Sequence, residues 1–296
     1  MIINKGTILI ILSSLFFASY GIWIRLINGG FDIFFQGWTR GLIIVIALLP
    51  FLVYKKYIVK IEKQDRPWFF LYLFASAFTT APLFYAVTHM DIGAATLLFF
   101  VSMLLTMYTL GYVLYEEKIN ITKIICLMLA ITGMFLVFSF SLEKFSLLAI
   151  FSAILNGVAS GSEISLSKKL TGHYSAWYIT WTSWVVIFVT SGLLSIFLHE
   201  RIIAPSFSII WLWHGLFTIS SVLAFWMVVE GFKYVKPAVG GLLGLLEIVF
   251  SVSFGVYIFH ENISIKLIIG CTLIILSAAL PHIQEILKSK INRLNT

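Results

Sequence analysis

The chain has 296 residues, of which 60% are hydrophobic and 11% are charged, and its formal net charge is +7. A soluble domain carries about twice that share of charged residues. The composition therefore excludes an ordinary soluble domain and indicates a polytopic membrane protein. In such a protein the excess of Lys and Arg is first a topology signal and does not require a nucleic-acid partner.

A bilayer core takes roughly 20 apolar residues per helix, and charged and turn-forming clusters divide the chain into ten such pieces. We interpret the first as a retained helix, because no small-residue cleavage pattern follows it. The sequence predicts an all-α integral membrane protein with ten spans, at 6–27, 33–54, 67–89, 93–115, 121–140, 145–165, 176–198, 209–232, 237–259 and 263–283.

The distribution of basic residues predicts the orientation. With the N-terminus in the cytoplasm, fifteen of the twenty Lys and Arg residues fall at inner loops and termini. Arg25, Lys144, Arg201 and Lys266 then lie at the outer side, and Arg40 lies within span 2. We therefore predict a multi-pass protein of the plasma membrane, such as a bacterial inner membrane, with both termini cytoplasmic.

The two halves of the chain are related by an offset of 144 residues. EEKINITKIIC (116–126) matches HENISIKLIIG (260–270), which places Glu117 over Glu261 and Gly111 over Gly255. A repeat of this length contains five spans, and an odd number of spans inverts the second repeat in the membrane. We predict repeats at 1–144 and 145–296, the second with a short basic tail, and we expect Glu117 to face the cytoplasm and Glu261 the opposite side.

Several stretches in order carry a family resemblance. They are LFFASYG (15–21), Arg40, FYAVTHMDIGAAT (84–96), FWMVVEGFKYVKPAVGGLLGLLEIVF (225–250) and GVYIFHENIS (255–264). Together they resemble the drug/metabolite transporter superfamily in its ten-helix form of two EamA-type repeats. The resemblance implies a secondary transporter with a central site between spans 1, 3, 4, 6, 8 and 9. A proline commonly follows the span 9 glutamate in this family; Ile248 stands there, so we expect a straighter span 9.

Span 9 carries a carboxylate in the middle of an apolar run, GGLLGLLEIVFSVSFG (240–255). On a straight helix one stripe holds Gly240, Gly244, Glu247, Ser251 and Gly255. Small residues allow close helix approach, and an ionisable group at bilayer depth is a functional candidate. We predict that Glu247, with Ser251 beside it, binds a cationic group of the substrate or carries a coupling proton. The alternative is a protonated carboxyl that holds two helices together, and Gly240 and Gly244 are expected to have a structural role.

Aromatic and soft apolar residues are the candidates for the wall of a substrate cavity. Tyr20, Tyr85 and Trp226 lie well inside their spans. The 144-residue offset makes Phe100 and Met103 of span 4 the equivalents of Gly244 and Glu247. They lie on an apolar face whose adaptable side chains suit a permissive binding surface.

Four further polar residues are predicted to serve in gating or structure. We expect Arg40 to snorkel to the outer interface from a peripheral span 2, and His89 to be a gate, a proton relay or an interfacial histidine. Asn156, next to Gly157, is expected to allow flexing or close packing of span 6. Glu163 is expected to form an interfacial ion pair beside Lys168.

The function predicted from these features is secondary active transport of a small metabolite by alternating access, with an amino acid or related amine favoured. The alternatives are exchange of a nucleoside, nucleotide derivative, sugar or drug, a membrane scaffold, and an intramembrane enzyme. Catalysis is not indicated, because the sequence has no nucleophile, metal-binding or Walker A motif. We expect no cofactor or metal and no nucleic acid. The expected partners are substrate, lipid, and protons or an exchanged metabolite, and the expected state is a monomer or homodimer.

Overall fold

A computed structural model describes residues 5–138 and 146–294. Within these ranges the regular structure is helical, and no strand is present. The helices are α1 (Lys5–Ala18), α2 (Tyr20–Ile27), α3 (Ile33–Tyr54), α4 (Arg66–Ala77), α5 (Ala81–His89), α6 (Ile92–Tyr115), α7 (Ile121–Val137), α8 (Leu147–Leu170), α9 (Ala176–Phe197), α10 (Ile209–Phe232), α11 (Pro237–Gly244), α12 (Leu246–Phe259) and α13 (Ile265–Leu294).

These helices form the ten predicted spans, and the prediction of an all-α membrane protein is confirmed. Among the described residues, eight spans are long and apolar enough to cross a membrane, and two shorter apolar helices, Ile121–Val137 and Ile265–Pro281, complete the set. Spans 1, 3 and 9 each consist of two helices, namely α1 with α2, α4 with α5, and α11 with α12. The predicted limits at residues 140 and 145 lie outside the described residues.

Two predicted boundaries are wrong. Helix α8 continues to Leu170 instead of ending at residue 165. Helix α13 runs on to Leu294, so the segment predicted as a short basic tail continues the last helix. In both cases the helix extends past the apolar stretch, because polar residues can continue a helix beyond the bilayer core.

The 144-residue offset aligns the helices of the two halves. Adding it to the first residue of α3, α6 and α7 gives 177, 236 and 265, and the corresponding helices begin at Ala176, Pro237 and Ile265. The packing follows the same relation. Helix α1 packs on α10 as α8 packs on α4 and α5, and α12 packs on α1 as α6 packs on α8. Helices α3 with α9 and α7 with α13 pair across the halves, so the bundle consists of two inverted five-span repeats.

Even the turns between the last two spans of each repeat are alike. The backbone N–H of Glu117 donates to Gly111 O at 3.0 Å, and that of Glu261 donates to Gly255 O at 3.1 Å. Each bond reaches the sixth preceding residue and follows a residue in the left-handed conformation, Glu116 or His260, so α6 and α12 end in the same way. We call the side of the bundle at which α6 ends the Glu117 end, and the side at which α12 ends the Glu261 end.

Spans 1 and 9 are interrupted midway without a proline. Ser19 separates α1 from α2, and Leu245 separates α11 from α12. At the second break the N–H of Ile248 donates to Leu245 O at 3.0 Å, which is a bond to the third preceding residue. Such a tight turn changes the direction and register of the helix. Span 9 is thus interrupted although no proline follows Glu247, the expectation that it is straighter than in the family stays a prediction, and the two breaks lie next to Tyr20 and Glu247.

Helix α8 approaches α6 closely through two glycines. A side chain at Gly157 would overlap the carbonyl oxygen of Phe99, and a Cβ at Gly161 would lie 2.7 Å from Met103 O. The interpretation of this part of span 6 as a close-packing segment agrees with this geometry. The contact fixes α8 against α6 by backbone-to-backbone approach, as small residues do in membrane bundles.

We expect Gly157→Ala to destabilise the protein by about 1–3 kcal/mol, because the new methyl group forces the α6 and α8 backbones apart. Gly215→Ala is the matched control, since nothing lies within 4 Å of a Cβ at that helical position. The control is expected to be neutral or slightly stabilising, through helix propensity. Thermal unfolding of both variants in the same detergent measures the difference. Equal unfolding temperatures would contradict the close contact.

The loops at the Glu117 end contain a carboxylate–imidazole pair. His173 Nδ1 lies 2.8 Å from Asp65 Oδ2, and the Tyr174 hydroxyl donates to the same oxygen at 2.9 Å. The hydrogen bond from His173 lowers the pKa of Asp65, and the same bond raises the pKa of His173. The pair joins the loop before α4 to the loop between α8 and α9.

We expect this pair to make stability depend on pH. The His173 contribution is fully present below the unfolded pKa of about 6.5 and is lost as pH rises through the raised folded pKa. The Asp65 contribution is present above the unfolded pKa of about 3.9 and is lost as pH falls through the lowered folded pKa. Thermal unfolding across pH should show the alkaline loss in the wild type and less of it in His173→Gln. The same alkaline loss in His173→Gln would assign it to another group.

Candidate substrate-binding site

A cavity of about 420 Å³ lies in the middle of the bundle. Its walls come from spans 1, 3, 4, 6, 8 and 9, as expected, and also from spans 2 and 7. The size suits a small metabolite. Apolar side chains make most of the surface, among them Phe17, Phe84, Phe99, Phe100, Met103 and Phe225. The ionisable side chains in the lining are Tyr20, Arg40, Glu163 and Glu247.

The two ends of the cavity differ. Toward the Glu117 end the lining stops at Met107 and Phe232, which are almost fully buried. The ring of Phe232 packs against Gly240, where an added Cβ would lie 2.5 Å from the ring. Toward the Glu261 end the lining reaches half-buried residues of α5, including Phe84 and Val87. The cavity is therefore closed toward the Glu117 end and more accessible from the Glu261 end.

A buried carboxylate holds the closed end together. Glu117 is 1% exposed; its Oε2 accepts from the backbone N–H of Ala238 at 3.1 Å, and its Oε1 lies 2.9 Å from Lys123 Nζ. Ala238 is the second residue of α11, where a helix N-terminus attracts a negative charge. Glu117 thus connects the last turn of span 4 to the beginning of span 9.

The equivalent carboxylate at the other end makes no such connection. Glu261 pairs with Arg25 at 2.5 Å, and its side chain is 47% exposed. The N–H that corresponds to Ala238 by the repeat is that of Ala94, and it donates to Asp91 Oδ1 at 3.1 Å. Helices α11 and α12 both pack on α1 and α13, and α11 also packs on α6, α7 and α8. The asymmetry of these two glutamates matches the asymmetry of the cavity.

Arg40, Tyr20 and Glu247 form the first polar group of the cavity. The Arg40 guanidinium lies 3.9 Å from the centre of the Phe217 ring and donates to Ser221 Oγ at 3.1 Å. Tyr20 lines the same cavity as Arg40 and Glu247. Among the described residues neither charge takes part in an ion pair.

The position of Arg40 corrects the sequence interpretation. Arg40 does not snorkel to the interface from a peripheral helix, because α3 packs on α9 and α10 and turns this side chain inward. The cation–π contact and the hydrogen bond hold the guanidinium at the cavity wall, where both interactions are strengthened by the apolar surroundings.

Glu163 is the centre of the second polar group and is 3% exposed. Its Oε1 lies 2.5 Å from Ser76 Oγ and 2.6 Å from Ser183 Oγ. The expected ion pair with Lys168 is not formed, and Lys168 Nζ donates to Phe232 O at 2.8 Å instead. Five residues along a helix correspond to a rotation of about 140°, so the two side chains leave α8 on different faces.

Two polar atoms close to this second group lack a protein partner. Asn156 donates through Nδ2 to Phe78 O at 3.0 Å, which fixes span 6 against the break in span 3. Its Oδ1 and the Nε1 of Trp184 are buried without a hydrogen-bond partner among the described residues. Both residues line the cavity, so an acceptor and a donor are available to a bound molecule or to water.

The structure brings some predicted residues together and places others elsewhere. Glu247, Tyr20, Phe100, Met103, Gly240 and Gly244 line the cavity together with Arg40, Asn156 and Glu163. Four predicted residues are not among the described lining residues: Tyr85, Trp226, Ser251 and His89.

These four residues lie in other environments. The Tyr85 ring stacks on His89 at 4.0 Å, and that histidine is exposed at the end of α5. Trp226 stacks on Trp177 at 4.5 Å. Ser251 is exposed on α12.

Sequence reasoning missed several residues of the site. Ser76, Ser183 and Trp184 are ordinary residues of apolar spans, and no motif distinguishes them. The 144-residue offset could have indicated Trp184, because it is the counterpart of Arg40. Glu117 was placed at a helix end by the repeat, but its contact with α11 is visible in three dimensions alone. Within the described residues no cluster of His, Cys, Asp and Glu could hold a metal ion.

Comparisons with known proteins agree with the fold. The sequence profile described as "EamA-like transporter family" matches residues 4–139 and 147–281. A protein of Archaeoglobus fulgidus, named "Uncharacterized transporter", is 24% identical over 272 residues, which cover 91% of this chain and 93% of the relative. A solved structure described as "Crystal structure of protein" is similar with a TM-score of 0.78 and 17% identity, over 94% of this chain and 97% of the other.

Proposed function

Because the chain belongs to the EamA-like transporter family, we propose that it is a secondary active transporter of a small metabolite with an amino group, and of an amino acid in the first place. Its coarse function as a multi-pass membrane transporter follows from the family and from its apolar spans. The substrate class and the mechanism are our proposal.

The observation that carries the proposal is that an acidic and a basic side chain line one cavity and form no ion pair with each other or with another described residue. Glu247 offers a carboxylate to an ammonium group, and Arg40 offers a guanidinium to a carboxylate. Tyr20 lines the same cavity and would offer a hydroxyl to either group of the substrate. Phe100 and Met103 suit the apolar tail of the substrate. A zwitterion would satisfy both charges, which a sugar or a nucleoside would not.

The asymmetric ends support alternating access. In the structure Glu117 holds the N-terminus of α11 and closes one end, while Glu261 is bound to Arg25 and the other end is more accessible. In the inverted repeat the opposite state exchanges these roles. Glu261 would then hold the N-terminus of α6, and Glu117 would release Ala238. The breaks at Ser19 and Leu245 allow the halves of spans 1 and 9 to tilt separately.

The remaining assignments follow from the sequence and stay predictions. We place the Glu117 end and both termini in the cytoplasm and the protein in the plasma membrane. The repeats are 1–144 and 145–296, with a boundary outside the described residues. The transporter works without catalysis or a cofactor, as a monomer or homodimer, and is driven by protons or by an exchanged metabolite.

Counterflow in proteoliposomes tests the proposed function. Vesicles that contain the purified protein are loaded with an unlabelled amino-acid mixture, and the uptake of labelled amino acids is followed without any ion gradient. A carrier with alternating access accumulates label transiently. We expect counterflow with amino acids and none with mixtures of nucleosides or sugars as matched loads. Counterflow with nucleosides or sugars alone would replace the substrate class, and its absence with every load would contradict carrier transport.

A further inference from the structure

We propose that Glu163, with Ser76 and Ser183, is a proton-binding site, separate from the pair Glu247 and Arg40, and that its proton couples transport to a pH gradient. The inference rests on the proposed transport function. Its structural part, a carboxyl group that exchanges a proton with the cavity, can be tested without a substrate.

The hydroxyl groups around Glu163 can accommodate either protonation state. Ser76 has one hydroxyl hydrogen but two acceptors, Glu163 Oε1 at 2.5 Å and Tyr72 O at 3.0 Å. With a carboxylate, Ser76 and Ser183 both donate to Glu163, at distances typical of charge-assisted O–H···O bonds. With a carboxylic acid, Glu163 donates to Ser76, and Ser76 turns to Tyr72 O. The two states therefore differ by one proton, which Glu163 takes from or returns to the cavity that it lines, and by the rotation of one hydroxyl group.

The same distances disfavour a sodium ion in this oxygen cluster. Oxygen ligands lie about 2.3–2.6 Å from Ca²⁺, a cation of similar size. Here Ser76 Oγ lies 2.5 Å and Ser183 Oγ lies 2.6 Å from Glu163 Oε1. They are in direct hydrogen-bonding contact, and no metal ion fits between them. The geometry therefore favours a proton as the ligand.

The other repeat indicates that packing does not require this carboxyl group. The offset of 144 residues relates Glu163 to Ser19, and Ser220 to Ser76. Ser19 Oγ lies 2.7 Å from Ser220 Oγ, so the equivalent contact between spans 1 and 8 is made by two hydroxyl groups. A serine suffices at this junction, whereas the second repeat places a carboxyl group there at bilayer depth. Such a group is functional by default.

Few other groups can titrate with Glu163. Helices α6, α9 and α11, which pack on α8, carry no charged side chain. Helix α4 presents Tyr72, whose hydroxyl donates to Ile179 O at 3.0 Å. Helix α5 ends in an exposed histidine. Helix α10 carries the buried His214, whose Nε2 lies 2.9 Å from Thr39 Oγ1, and a glutamate near its end that is bound to Lys5. The other ionisable groups of the described cavity lining are Tyr20, Arg40 and Glu247.

Infrared titration of the protein in lipid tests the site directly. The C=O stretch of protonated carboxyl groups is recorded against pH for the wild type, Glu163→Gln, Glu163→Ser and Glu247→Gln. Glu163→Ser reproduces the Ser19–Ser220 contact and serves as the folded reference. We expect one titrating band to be absent from both Glu163 variants and present in Glu247→Gln. A band that survives in a folded Glu163 variant would overturn the proposal.

Two further arms complete the test. Replacing choline chloride by NaCl at constant pH should leave the band unchanged, and loss of the band would identify a sodium site and overturn proton binding. In proteoliposomes, the ratio of amino-acid uptake with and without a pH gradient should differ from one in the wild type and fall to one in Glu163→Gln. An unchanged ratio would overturn the coupling role. If the wild type carries no amino acid, the proposed function fails, and the infrared result still decides proton binding.

Discussion

Glu247→Gln is expected to abolish most amino-acid transport while the protein remains folded. The substitution keeps the size of the side chain and removes the charge that faces the substrate ammonium. Truncating one partner of a desolvated charge pair costs about 2–5 kcal/mol. At about 1.4 kcal/mol per tenfold, this corresponds to a loss of at least about 25-fold in substrate affinity. Counterflow and equilibrium binding measure the loss.

Glu230→Gln is the matched control for this prediction. Glu230 lies on α10 outside the described cavity lining and pairs with the exposed Lys5 at 3.2 Å. Exposed ion pairs are worth about 0–1 kcal/mol, so we expect little change in transport. Transport by Glu247→Gln at the control level would remove Glu247 from the substrate site and leave the fold assignment intact.

Glu117→Gln is expected to shift the transporter from the state closed at the Glu117 end toward the opposite state. The substitution removes the negative charge between Lys123 and the N-terminus of α11. Loss of a buried charge pair costs about 3–5 kcal/mol, and even a third of this moves a two-state equilibrium by about tenfold. The closed state loses this stabilisation, because the contact with Ala238 belongs to that state.

Thiol accessibility reports the shift. In a Cys126→Ser, Cys271→Ser background, Val235→Cys reports the Glu117 end and Val87→Cys reports the cavity side. Glu117→Gln should increase labelling at Val235→Cys and decrease it at Val87→Cys. The control is the equivalent substitution Glu261→Gln, which removes an exposed ion pair and should not increase labelling at Val235→Cys. Equal labelling patterns in both variants would contradict the proposal that Glu117 stabilises the state closed at the Glu117 end.

Much of the fold was predictable, because composition and spacing reflect the bilayer directly. Apolar length predicts the spans, and the offset of 144 residues predicts which helices of the two halves are equivalent, whereas the packing of α3 on α9 and of α7 on α13 is visible only in the structure. The break in span 9 was not predictable, because no proline marks it. A tight turn at Leu245 interrupts the helix instead.

The candidate site was predictable where charge and depth coincide, as for Glu247. The site was not predictable where membership of the site depends on the direction of a side chain. The position of Arg40 on its helix does not tell whether the side chain points to lipid or into the bundle. Glu163 illustrates the same limit. Its neighbour Lys168 suggests an ion pair in the sequence, and the helix rotation places the two on different faces.

The central claim is that Arg40 and Glu247 together bind a zwitterion. The most direct measurement compares three ligands with one side chain: an aromatic amino acid, the amine without its carboxylate, and the acid without its amino group. We predict that wild-type protein binds the amino acid at least about tenfold more tightly than either analogue. Glu247→Gln should bind the amino acid and the acid equally, and Arg40→Gln should bind the amino acid and the amine equally. Equal weakening of all three ligands by each variant would contradict the claim.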